Sequence, residues 1–258
     1  MKIGMIGKGA IAQYVMARLG ERGHHVSAIL VRPEKLTPGR PKEFGAVEDL
    51  PSDLDVVIDC AGHSALIAYG PPILSRGVDM ISVSLGALAD HSTADALKTA
   101  AGTGQSTLHL ASGAIGALDC LSAARAGTLT AVRYTGRKPP KGWLGSPAEA
   151  KVDLTALTEG AVTHFEGSAR DAALSYPKNA NVAAAVALAG LGFDRTKVSL
   201  IADATIDQNM HEIVAEGDFG TFAFQISGNA LPDNPRSSAL AAMSVLAKLD
   251  QISSAISL

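Results

Sequence analysis

The chain has 258 residues, of which 47% are apolar and 18% charged, with a mean hydropathy of +0.19; such a composition fills one large core or two modest ones and excludes intrinsic disorder. Its 22 Lys and Arg stand against 25 Asp and Glu, for a formal net charge of −3. No basic run is interleaved with aromatics, which excludes the electrostatic footprint of a nucleic-acid-binding protein and leaves a small neutral or anionic ligand as the expected partner.

The chain opens with Met1-Lys2-Ile3-Gly4-Met5-Ile6, an apolar stretch too short for a signal peptide, and no later window approaches the roughly 20 apolar residues that span a bilayer. A soluble, cytoplasmic protein without a membrane partner is expected. Lys2–Ile6, Val26–Val31, Asp55–Cys60, Asp79–Val83 and Thr107–Ala111 read as short aliphatic strands alternating with helical stretches. That alternation predicts βαβ units on a parallel sheet. Between the first two strands Ile11, Val15 and Leu19 recur every four residues and Gly23 supplies a stop, so the segment is an amphipathic helix. The stretch from Arg32 to Asp53 is rich in Pro, Gly and charge and reads as a loose surface connection.

Gly7-Lys8-Gly9-Ala10-Ile11-Ala12 follows the first strand and opens the first helix, the setting that a dinucleotide-binding G-x-G-x-x-A turn requires. Gly7 permits the tight turn and Gly9 lets backbone N–H groups approach a pyrophosphate. Ala10 and Ile11 begin the helix whose positive end faces the phosphates, and small Ala12 lets that helix pack on the strand. An acid that accepts from the adenosine ribose belongs at the end of the second strand, but Val31-Arg32-Pro33 stands there. Arg32 is either a partner for the 2′-phosphate of NADP or a solvated surface arginine. A second small-residue turn, Cys60-Ala61-Gly62-His63-Ser64, lies over the expected cofactor crevice at the end of a parallel strand. Ala61 and Gly62 are candidate cofactor contacts, and His63 is either a further one or a loop histidine without a role. Cys60 and Cys120 lie far apart in apolar runs, which fits reduced thiols better than a disulfide or a zinc site, and no metal is expected.

Beyond about residue 112 the extended runs Thr130–Thr135, Ala161–Ala169, Val198–Ala204, Met210–Glu216 and Phe219–Ser227 come with fewer helices between them. They predict a mostly antiparallel sheet in a second domain. Helical patterns cover Ala117–Ala126 and Val182–Leu191, the latter closed by Gly192. A last helix is opened by Asn234-Pro235 and carries Ala239, Ala242, Met243, Leu246 and Leu249 at helical spacing, a face expected to dock on the first domain.

Polar candidates in this half cluster at Ser112–Asp119, Tyr176–Val182 and Asn209–Glu212. Strand alternation over 209–216 puts Asn209, His211 and Ile213 on one face and Glu212 on the other, so His211 and Glu212 are not a dyad. An imidazole titrates near neutral pH, and His211 is the candidate to take a proton from a substrate ammonium, return one to an iminium, or activate water. Asn179 and Asn181 precede an Ala-rich helix, where one of them serves as a cap. With Lys178 they also form a candidate carboxylate subsite. Arg137-Lys138-Pro139-Pro140-Lys141-Gly142-Trp143 reads as a rigid basic loop, from which Lys138 or Lys141 supplies a second cationic subsite, or which is simply solvated with Trp143 packed on the domain.

Taken together, G-K-G-A-I-A, S-G-A-I-G-A-L-D, R-K-P-P-K-G-W, Y-P-K-N-A-N-V, N-x-H-E and N-P-R-S-S span essentially the whole chain, which resembles the L-aspartate dehydrogenase family. That resemblance implies oxidation of L-aspartate to iminoaspartate with NAD or NADP, the product hydrolysing to oxaloacetate and ammonia or feeding NAD biosynthesis. It implies Ala114 and Asn181 as cofactor contacts and His211 as the catalytic residue. It implies an α/β fold: a Rossmann domain plus an open-faced α+β domain, similar to dihydrodipicolinate reductase and homoserine dehydrogenase, with the C-terminal helix returning to the first domain. The expected division is 1–112 with 233–258 for the dinucleotide and 113–232 for the substrate. An open-faced sheet predicts a homo-oligomer, with a dimer as the guess. The competing functions are a related reductase of the dihydrodipicolinate or homoserine type and a non-catalytic nucleotide sensor; Val31-Arg32 departs from an NAD-selective pattern.

Overall fold

The structure, a computed structural model, describes residues 1–37, 39, 40, 42–177, 179–232 and 234–256, with 235 and 236 described by their backbone alone. The chain divides into two compact units, one comprising Met1–Ala87, His91–Ala111 and Ala241–Leu258, the other Leu88–Asp90 and Ser112–Leu240.

The first unit is built from β1 (Lys2–Ile6), α1 (Ala10–Leu19), β2 (His25–Leu30), β3 (Glu43–Phe44), β4 (Val56–Asp59), α2 (His63–Ser75), β5 (Asp79–Ser82), α3 (His91–Gly104) and β6 (Leu108–Leu110). Its six strands are all parallel, in the order β3-β2-β1-β4-β5-β6. That order is the doubly wound Rossmann arrangement, whose strand-order reversal lies between β1 and β4. The five expected strands are present. β3 is an addition inside the segment read as a loose connection, where Glu43 and Phe44 pair with Ile29 and Leu30; two residues are too few to show a periodicity. In α1 the buried stripe is Ala12, Val15 and Leu19, with Ile11 packed at its margin. A single 3-10 turn follows, and Gly23, at φ +71°, donates its N–H to the carbonyl of Gly20.

The second unit contains α4 (Leu118–Ala124), β7 (Leu129–Lys138), β8 (Ala161–Ser168), α5 (Ala169–Ser175), α6 (Asn181–Ala189), β9 (Lys197–Asp203), β10 (Asn209–Gly217) and β11 (Gly220–Gly228). The strands form one sheet in the order β11-β10-β7-β9-β8. Three pairings are antiparallel, as expected of this half, while β7 and β9 run parallel. The chain between those two strands passes through β8, α5 and α6, a crossover long enough to bring it back in the same direction. A short ribbon of β12 (Ala230–Leu231) and β13 (Asn234–Ser238) follows, and then α7 (Ala239–Ser253).

Three sequence expectations are corrected here. Asn234-Pro235 opens β13 rather than the helix, which starts at Ala239. Met243 is 45% exposed, and the buried face of α7 runs through Ala242, Val245, Leu246 and Leu249 instead. Arg137 and Lys138 lie not in a loop but at the end of β7, because ladder pairing with Ile201 and Ala202 of β9 extends the strand to them. The return of α7 to the first unit holds: Val245, Leu246 and Leu249 share a core with Ile3, Met5, Val15, Ile58 and Ile81.

Candidate active site

In the first unit the Gly-rich turn has the conformation that its sequence demands. Gly7 sits at φ +89°, a backbone conformation that L side chains rarely adopt, and a Cβ there would stand a crowded 3.0 Å from the Cβ of Ala61, where the β1 and β4 turns meet. Gly9 is the N-cap of α1, has no side chain to offer the helix, and has open space where a Cβ would be. Ala10 and Ile11 follow as the first two helical residues. An uncapped positive helix end beside an uncrowded glycine fits a pyrophosphate.

The surroundings of this turn contain charges that the sequence did not rank. Lys8 donates from Nζ to Oε1 of Glu43 at 2.9 Å, and the Glu43 side chain is only 2% exposed. The Thr37 N–H reaches its other oxygen at 3.2 Å. Hydrogen bonding to Lys8, ahead of all other causes, holds the Glu43 carboxyl below its ordinary range. Arg32 lies past the end of β2, exposed, with Nε 3.3 Å from Oε1 of Glu34.

Asp59, the last residue of β4, is fully buried. Its carboxylate accepts from the Ala61 N–H at 2.9 Å and from the hydroxyls of Ser82 and Ser84 at 2.7 Å each. Burial raises its pKa and these three donors oppose the rise. The network ties the turn after β4, with Ala61 and Gly62, to the end of β5. One acid closing the otherwise apolar run Val56-Val57-Ile58 was the available signal. His63 begins α2, half-buried.

In the second unit His211 is 5% exposed on β10, directly opposite Gly136 of β7. Alternation then puts Tyr134, Gly136 and Lys138 on the face of His211. The Tyr134 hydroxyl stands 2.8 Å from Nδ1 of His211. Burial, with a smaller contribution from the charge of Lys138, lowers His211 to about 4, so its imidazole is neutral where the sequence reading expected titration near pH 7. Lys138 is half-buried; its Nζ donates to Oδ1 of Asn179 at 2.6 Å and lies 4.7 Å from the centre of the Trp143 ring. Burial lowers the Lys138 ammonium to about 8.

The subsite around the Ala-rich helix is rearranged relative to expectation. Ala180, not an asparagine, is the N-cap of α6 and makes no side-chain cap bond; Asn181 is the first helical residue, and Asn179 turns to Lys138 instead. A charged donor is the stronger partner for a side-chain carbonyl, which explains the choice. Lys178 lies outside the described residues, while Lys141 is exposed. Ala114 is half-buried in the segment that precedes α4. Trp143 is fully buried and donates from Nε1 to the carbonyl of Ile201 at 2.9 Å. It also meets His164 edge-on at 4.4 Å between centroids. The hydroxyl of Tyr176 lies 3.2 Å from Nδ1 of His164. Burial, then the charges of Lys151 and Lys138, lowers His164 to about 4.

Among the described residues no three His, Cys, Asp or Glu side chains are grouped to hold a metal ion, and no helix is long and apolar enough to cross a membrane. Cys60 is half-buried and Cys120 exposed, both free.

Two family models match the chain: "Homoserine dehydrogenase, NAD binding domain" over residues 7–111 and "Aspartate dehydrogenase, C-terminal" over residues 119–252. An L-aspartate dehydrogenase of Ruegeria pomeroyi is 54% identical over 99% of this chain and 94% of that protein. Another, from Ralstonia nicotianae, is 44% identical over the whole of both chains. Among solved structures, aspartate dehydrogenase of Thermotoga maritima superposes with a TM-score of 0.78 at 28% identity, covering 100% of this chain and 99% of that one.

Proposed function

As this chain belongs to the L-aspartate dehydrogenase family, we propose that it transfers hydride from the α-carbon of L-aspartate to NAD or NADP, leaving iminoaspartate and a proton. It is an NAD(P)-dependent oxidoreductase acting on a CH–NH2 group. The nicotinamide cofactor, when bound, supplies the hydride acceptor. Gly7, Gly9, Ala10 and Ile11 hold its pyrophosphate through backbone N–H groups and the α1 dipole, and Ala61 and Gly62 border it from the β4 turn. Ala114 and Asn181 are further cofactor contacts, and Arg32 is the residue that meets a 2′-phosphate.

His211 is the catalytic residue and meets the substrate through Nε2. Lys138, positioned by Asn179, takes one substrate carboxylate, with Lys178 for the other; a dicarboxylate needs two such partners. The observation that carries this assignment is the placement of His211 and Lys138 on one face of one sheet, each with a partner of its own: Tyr134 for the imidazole and Asn179 for the ammonium. Iminoaspartate then either enters NAD biosynthesis or hydrolyses to oxaloacetate and ammonia.

Cytoplasmic location and a homodimer complete the reading. β11 and β8 leave two sheet edges in the second unit, and association of copies is a common way to cover edges and open faces.

The test is absorbance of reduced nicotinamide with purified protein, L-aspartate and NAD or NADP in parallel. Growth with aspartate is expected. No growth with aspartate alongside growth with another amino acid would reject the substrate, and full turnover by His211→Ala would reject the catalytic assignment.

A further inference from the structure

Tyr134 is 2% exposed, and among the described residues its hydroxyl has one hydrogen-bond partner, Nδ1 of His211 at 2.8 Å. A phenol buried this deeply keeps its proton, since burial pushes its pKa well up. That hydrogen needs an acceptor, because a buried hydroxyl hydrogen without one bears its full desolvation cost. The rest of its surroundings supply little: on the side of Gly136 a Cβ would stand 2.7 Å from the hydroxyl oxygen and 3.3 Å from a methyl of Leu200. Nδ1 accepts only when it carries no hydrogen itself. A neutral imidazole has one hydrogen for its two nitrogens, so the other nitrogen then carries it.

The opposite edge of the ring is differently placed. The buried side-chain atoms without a partner among the described residues are Nε2 of His164, Oγ1 of Thr196 and Oγ of Ser238. Nε2 of His211 makes no hydrogen bond among the described residues either, so this edge of the ring is not committed to a described protein partner.

We propose that Tyr134 is a positioning residue that holds His211 as the neutral tautomer with its hydrogen on Nε2, so that the substrate meets a hydrogen-bond donor at that atom. The proposal rests on the assignment of His211 as the catalytic residue and changes its character. The imidazole orients and polarises an acceptor atom of the substrate without itself taking up a proton, as neutral imidazoles do where their cationic form is suppressed; the ammonium proton passes to solvent, and the free amine is the form that gives up hydride. The low proton affinity of His211 agrees with this, because a base so weak does not hold a proton taken from an ammonium. Gly136 belongs to the same device: it leaves the space that the hydroxyl occupies beside the ring opposite it.

Long-range proton–nitrogen NMR of the nitrogen-15-labelled chain near pH 7.5 reads the tautomer directly, with His211→Gln identifying the signal by its loss. The wild type is expected to show His211 with its hydrogen on Nε2, favoured at least about tenfold. In Tyr134→Phe that preference falls to within about threefold of even, and kcat/KM for L-aspartate drops about tenfold while circular dichroism is unchanged. Gly136→Ala, which presses a methyl on the hydroxyl, shifts the tautomer in the same direction if Tyr134→Phe does not fold. A wild-type ring with its hydrogen on Nδ1 overturns the proposal, as does a Tyr134→Phe enzyme with unaltered tautomer and activity. Full activity in His211→Ala rejects instead the catalytic assignment and leaves the tautomer result standing.

Discussion

Oδ1 of Asn179 accepts a 2.6 Å hydrogen bond from Nζ of Lys138, joining the end of β7 to the residues just before α6. An ammonium held by one carbonyl oxygen and an aromatic face still has donor capacity for a carboxylate. Because burial lowers Lys138 to about 8, its charge is present below that pH and lost above it. KM for L-aspartate is therefore expected to climb as pH passes 8, with kcat changing less. Lys138→Met should raise KM at pH 7 by about 10-fold to 100-fold, the range of a charge-assisted bond, and flatten the pH profile. A wild-type KM constant from pH 7 to 9.5 would remove Lys138 from the substrate subsite.

Asp59 gathers three donors, one from the turn after β4 and two from the end of β5 and the residues just past it, at the edge of the proposed cofactor site. Asparagine has one carbonyl oxygen where the carboxylate has two, and its amide adds hydrogens that face the serine hydroxyls. Asp59→Asn should weaken NADH binding about tenfold in a fluorescence titration and lower Tm by several degrees. A lowered Tm with unchanged NADH affinity would make Asp59 a scaffold residue only.

His164 and His211 are both buried, at 4% and 5% exposure, and both lowered from 6.5 to about 4. The unfolded chain binds protons at both positions below pH 6.5, whereas the folded chain resists until about 4. Stability is thus complete above 6.5 and drains away as pH falls toward 4, by roughly 2–4 kcal/mol for each histidine. Denaturant melts at pH 7, 6 and 5 should show the loss, and His164→Gln should reduce its slope. Equal stability at pH 7 and 5 would contradict the burial of both rings.

Arg32 tests cofactor choice. Among the described residues it pairs with the exposed Glu34, a contact that solvent weakens, so its guanidinium can turn to a 2′-phosphate. Arg32→Ala is expected to cut kcat/KM for NADP about tenfold and leave that for NAD within twofold. A parallel loss with both cofactors would place Arg32 outside the discrimination.

Much of this architecture is legible along the chain. Lys2–Ile6 is found to the residue because a parallel strand covered on both sides is a continuous apolar run, and the stop at Gly23 follows from its left-handed backbone. What escapes depends on partners remote in sequence. Two-residue β3 exists only through Ile29 and Leu30. Lys138 becomes a strand residue only through β9. Tyr134 acquires its role through a register that sets His211 against Gly136, 75 positions away, and no local pattern encodes that match. A tyrosine and a glycine two apart on the buried face of one strand were the visible hint, since a buried phenol needs both a partner and room.

The core shared by Ile3, Met5 and Leu249 has a consequence for biosynthesis. Residues 112–240, which make up nearly all of the second unit, lie between the two contributors to that core. On the ribosome the nucleotide-binding sheet therefore emerges first yet waits with an open apolar surface until α7 has been translated, while the second unit has every strand it needs sooner. The chain is thus expected to fold its middle before its beginning, and the waiting sheet is the part of the nascent protein with most to gain from a chaperone.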